Sequence, residues 1–275
     1  MSLHQLLDSI PLGIYLVITL IIMLGFIEFG FYLGRAHTRK SYKPQMAQVR
    51  AIMGASLGLA AFMLAFGFGM GQTHFEARTQ AFVMETNAIK SGYFAAEMLT
   101  DEHRQQARYL LHDLVTSRVH TQELLQQRAA EEAWELVRDS EGIYRALWDI
   151  AMEDYDENGE TAAFSMFSQA TLDMMNAHNE RLEASVYNRV SPIIWVTLFI
   201  MSVLSMTVMG YQGGLTGTRS RVATWTLAFT FSAVMMLITD LDRPIMALFS
   251  MNDQIMLDLK EMMEKEHDWR EVIPR

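Results

Sequence analysis

The run DYDENGE, from Asp154 to Glu160, sets oxygen ligands at the spacing of a calcium loop. Asp154, Asp156 and Asn158 stand at its first, third and fifth positions, with Gly159 at the sharp turn. The twelfth position, where such loops carry a bidentate glutamate, is Ser165. Calcium here would need a carboxylate from another segment. The alternative is an acidic turn between helices, since Asn-Gly is an ordinary turn signal. Glu28 is a second candidate, about a turn and a half inside the basic end of an apolar run. An ionisable group inside a span is a candidate for function. Its alternative is that it snorkels, or pairs structurally with Arg35 or an arginine of a neighbouring loop. A third group is ITDLDRP, where Asp240, Asp242 and Arg243 close the last apolar run ahead of Pro244. Proline disfavours helix at the residue before it, so the helix should end or kink there. Freed carbonyls and charges at a membrane edge then need partners.

The elements that position these groups are read from the distribution of apolar residues. Of the 275 residues, 51% are hydrophobic, and they condense into a few blocks. A bilayer core of ~30 Å needs about 20 apolar residues of helix. Four segments qualify: Pro11–Gly34, Ala51–Gly71, Pro192–Tyr211 and Val222–Thr239. The first lacks a basic leader and a small-residue cleavage site, so it reads as a span. Between the second and third spans the apolar stripes keep helical spacing, as in Phe82, Ile89 and Tyr93. The expected fold is an all-α membrane protein: four transmembrane helices with an inserted extramembrane helical-bundle domain between spans two and three. Spans one and two fall in residues 1–72, the acidic domain in 73–190, spans three and four in 191–249, and an amphipathic tail in 250–275. The tail puts Ile255, Met256, Leu259, Met262 and Met263 on one side of a helix, a packing face against the domain or another subunit.

Charge sets the topology. The loop after span one carries Arg35, Arg39, Lys40, Lys43 and Arg50, and the loop after span three carries Arg219 and Arg221, neither with an acid. The positive-inside rule places both in the cytoplasm and the large domain outside. The last span then ends level with Glu76, Arg78 and Glu85, just past span two. An ion-pair joint follows, with Asp240 or Asp242 on Arg78 and Arg243 on Glu85 or Glu76. The alternative is solvation by water and headgroups. On span two, Phe62, Phe66 and Met70 share one face, behind the close-approach pairs Gly54/Gly58 and Ala61/Ala65. With that span at the centre of a homo-oligomer they would stack into apolar rings, a constriction that gates by dewetting. The alternative is packing against neighbouring spans.

Several function classes drop out. The net charge of −10 argues against nucleic-acid binding. Without cysteine there is no thiol nucleophile or cysteine-ligated metal. Nothing assembles a nucleophile, base and polar pocket, so an enzyme is not expected. From Thr73 to Val190 there are 21 Asp/Glu against 10 Lys/Arg, enough to concentrate cations if the domain lines a vestibule.

The run LGLAAFMLAFGFGMGQTHFEARTQAFVMETNAIKSGYF resembles the bestrophin-like family of prokaryotic four-span proteins, matching at Phe66, Met70, Phe75, Arg78, Glu85, Asn87, Ala88 and Ile89. NAHNERLEA, ITDLDRP and the first-span Glu28, Gly30 and Gly34-Arg35 fit further blocks. Thr79, where the family has a second arginine, and Lys90-Ser91, where it has small residues, depart from it. The resemblance implies a likeness of architecture to bestrophins, which are oligomeric anion channels gated by calcium. A homo-oligomeric ion channel in a bacterial inner membrane is the leading reading, with lipid and inorganic ions as partners. A non-conducting envelope scaffold or sensor, binding a partner through its outer domain, is the alternative.

Overall fold

The computed structural model describes residues 8, 10–39, 46–126, 130–217, 220–243 and 254–266. Lys40, Lys43, Arg219 and Pro244 lie outside them. The described residues are helical almost throughout and contain no strand. In chain order the helices are α1 (Leu12–Arg39), α2 (Met46–Ala96), α3 (Asp101–Gln126), α4 (Ala130–Asn158), α5 (Ala162–Leu182), α6 (Pro192–Thr216), α7 (Arg221–Asp242) and α8 (Gln254–Glu266). A π-helical turn, Glu183–Tyr187, follows α5. Helices α1, α2, α6 and α7 are long and apolar enough to cross a membrane.

Local chemistry starts and stops these helices. Thr161 caps α5 by accepting the Phe164 N–H at 3.0 Å. Pro192 opens α6 where its missing N–H costs nothing, and Gly217, with φ of 67°, ends it in the left-handed region. Helix α7 stops at Asp242, and Arg243 before the proline is extended.

The chain divides into two units. Unit 1 takes Met1–Phe75 and Arg189–Arg243; unit 2 takes Glu76–Asn188 and Pro244–Arg275. In unit 1, α1 and α6 form the most extensively packed pair. Gly30 and Gly34 of α1 lie against the Thr207 and Tyr211 carbonyls, while Gly210 and Gly214 of α6 lie against those of Ile27 and Phe31. A Cβ at any of the four would run into backbone, so glycine spacing lets the two helices touch. Where apolar lipid offers no hydrophobic drive, such contact is the main source of attraction. Helix α2 joins through Ala60, Leu64 and Gly67, the last against Leu198 and Ile238. Ser205 of α6 donates to the Ser56 carbonyl of α2 at 2.9 Å.

Unit 2 has its own core. Phe82, Ile89 and Tyr93 of α2 pack with Leu111 and Leu114 of α3, Leu147 of α4, and Phe167 and Met174 of α5. The tail helix α8 adds Met256, Leu259 and Met263 to the same core, with Met262 partly buried, while Ile255 of the expected packing face is exposed.

Candidate functional site

Glu85 lies on the apolar stripe of α2, between Phe82 and Ile89, well past the stretch that ends at Gly71. That position points it into the core of unit 2, where it is 0% exposed. Three other helices supply its partners. Arg118 of α3 brings Nε to 3.2 Å of Oε1, and Arg181 of α5 holds Oε2. Tyr144 of α4 donates its hydroxyl to Oε1 at 3.3 Å. His178, one turn before Arg181, has Nδ1 3.1 Å from the same oxygen and 2.8 Å from an Arg118 nitrogen. Arg181 also stands over the Phe82 ring, 5.0 Å from its centroid.

Burial by itself would raise the Glu85 carboxyl, but Arg181 and Arg118 outweigh it and hold the group below the usual range. The Tyr144 hydroxyl is pushed up, first by burial and then by the charge of Glu85. Two guanidinium groups around one carboxylate leave the cluster net positive. What it can do is lock four helices in register, because each charge is stranded if a partner leaves. The sequence reading singled out Glu85 but not Arg118, Tyr144, His178 or Arg181. Their signal was available: each falls at helical spacing from a buried apolar residue, as Arg118 from Leu114 and His178 from Met174.

A second polar centre belongs to unit 1. Asp242 is buried and accepts the Val190 N–H at 2.8 Å. Arg189 approaches its other oxygen at 3.6 Å, and His74 stands 3.9 Å away. Arg189 also grips Asp8 with two hydrogen bonds, of 2.7 and 2.9 Å. Arg243 donates to the Ile10 carbonyl at 2.7 Å. The three charges of ITDLDRP are therefore buried, and two of them tie the end of α7 to the segments leading into α6 and α1. Arg78 is buried and Glu76 exposed.

The remaining candidates fall elsewhere. Phe62 and Phe66 are 68% and 55% exposed, whereas Met70 is partly buried against the core of unit 1. Glu28 is half-buried on α1. Asp154, Asp156 and Asn158, spaced as the start of a calcium loop, lie in the last turns of α4. Helical geometry sends Asp154 and Asp156 to different faces. Asp154 is turned inward, 3.4 Å from His103 Nδ1 and 3.1 Å from the Asn158 amide. No cluster of three metal-ligating side chains occurs among the described residues.

Among known proteins, the model of the Bestrophin-like domain matches residues 19–249. No curated protein and no solved structure matches the chain. The match runs from within α1 past the end of α7 and covers most of the chain, including Glu85 with its partners and Asp242, so the chain belongs to the bestrophin-like family.

Proposed function

We propose that the chain is one subunit of a homo-oligomeric membrane ion channel with α2 lining its axis. The observation that supports this reading is the unpartnered face of α2. A single chain leaves Leu59, Phe62 and Phe66 at least half exposed and open space over Gly54 and Gly58, while the opposite face of the helix is packed. Lipid needs no glycine to cover a helix, whereas small residues let a second helix come close. Copies related by rotation would stack Phe62 and Phe66 into apolar rings that gate by dewetting. In this reading residues 76–188 form a helical domain inserted between the second and third spans. The basic loops face the cytoplasm of a bacterial inner membrane and the acidic domain lies outside; if that domain lines a vestibule, its charge concentrates cations. Such a protein is an ion path and not a catalyst.

Flux through purified protein in liposomes tests this, with potassium first and chloride separately. Wild type should conduct one of them, and Phe66→Ala should raise basal leak several-fold while the oligomer stays intact. Intact oligomers that pass neither ion, in wild type and variant alike, would favour the scaffold reading.

A further inference from the structure

Unit 1 contains a partly open cavity of about 190 Å³, lined by residues of all four apolar helices and by Ser220 just before α7. Ile27 and Phe31 of α1 and Met53 of α2 line it with apolar surface. Gln212 of α6, with Ser220 and Thr224 at the start of α7, makes part of the wall polar. The volume is below the ~300–1,000 Å³ of ordinary small-molecule pockets. A slender apolar group suits it better than a compact polar metabolite.

Charge completes the description. Arg35 follows Phe31 by one helical turn, Arg50 precedes Met53 by one, and Arg221 adjoins Ser220. All three arginines are exposed. On each helix the arginine lies on the side of the short connection to the next or preceding span, so the three mark the same end of unit 1. No Asp or Glu occurs from Phe29 to Phe75 or from Arg189 to Thr239. Glu28, the acid nearest in sequence, is not part of the lining. Interhelical pockets with basic residues at one membrane face take anionic lipid headgroups.

We propose that this cavity is a binding site for an anionic phospholipid, part of one acyl chain lying between α1, α2, α6 and α7 and the phosphate held by Arg35, Arg50 and Arg221. The site is independent of ion conduction, and its test reads binding alone.

Full-length protein in mild detergent is titrated with phosphatidylglycerol, phosphatidylcholine or inorganic phosphate, and its melting temperature followed. Phosphatidylglycerol should raise the melting temperature saturably; the other two should leave it unchanged. Arg50→Gln and Arg221→Gln should each weaken the apparent affinity about fivefold, equivalent to about 1 kcal/mol per basic residue at an anionic surface. Ala223→Trp, at the cavity wall, should abolish the response. If that variant does not fold, the two arginine variants carry the test. Equal effects of both lipids would reduce the cavity to a nonspecific lipid contact and overturn the proposal. Phosphate alone reproducing the shift, or wild-type affinity in both arginine variants, would overturn it too.

Discussion

Glu85 is fully buried, and its two arginines hold its carboxyl below the usual range against the pull of burial. Removing one member of such a buried set strands the others, so Glu85→Gln should destabilise unit 2 by about 3–5 kcal/mol. The pH dependence has a definite sign. With the folded value depressed below ~4.3, the contribution is complete above that pH and lost as pH falls toward the folded value. The melting-temperature gap between wild type and Glu85→Gln should be flat from pH 7 to about 5. Below about 4 it should narrow, as the stability difference falls by ~1.4 kcal/mol per pH unit. Thermal melts of both proteins across this range check it, and a gap that widens in acid would contradict the assignment. Asp242 makes a different kind of prediction, because its charge answers a backbone N–H at 2.8 Å. Asp242→Ala leaves that buried donor unmet, at ~1–3 kcal/mol, whereas Asp242→Asn keeps an acceptor. Melting in detergent should rank Ala below Asn, and Asn below wild type.

The contact between α1 and α6 is carried by two pairs of glycines, each four residues apart on its helix. Four residues is a little over one turn, so each pair forms a short smooth stripe, and the stripes face each other. A larger side chain must push the backbones apart and break dispersion contacts along both helices. Gly34→Val or Gly210→Val should cost at least ~1–3 kcal/mol, the usual range for overpacking. Gly54→Val is the control, since among the described residues nothing stands within 4 Å of that position. If α2 meets a second copy, Gly54→Val should reduce the oligomer fraction while leaving the monomer folded. Size-exclusion chromatography with light scattering separates these outcomes. Loss of oligomer without loss of fold would mark α2 as the interface, and unchanged assembly would return its face to lipid.

For the whole molecule, orientation is the property with the clearest test. The chain has no cysteine, so engineered thiols report without background. The proposed topology places Ser41, outside the described residues, in the cytoplasm and Asn158, at the end of α4, outside. A cysteine at Asn158 should react with a membrane-impermeant reagent in intact cells, and one at Ser41 only after permeabilisation. The reverse pattern would invert the topology and put the acidic domain in the cytoplasm.

Local sterics and periodicity are properties of neighbouring residues, and those were legible. Apolar blocks long enough for a bilayer marked four helices, Pro192 opens α6, and α7 ends before the proline at 244. Helical spacing put the Glu85 partners beside apolar positions, but their pairing with Glu85 was not legible, because Tyr144, His178 and Arg181 lie 59, 93 and 96 residues away and meet it only when four helices pack. DYDENGE shows the same limit from the other side. Its spacing matches a loop of calcium ligands, yet α4 persists through Asn158 and Asp154 faces His103, 51 residues distant. The glycines divide along the same line. Gly54 and Gly58 show the same four-residue spacing as Gly30 and Gly34, but among the described residues only the latter of these two pairs has a helix against it. Spacing determines that a close approach is permitted, and tertiary packing decides which permitted approach is made.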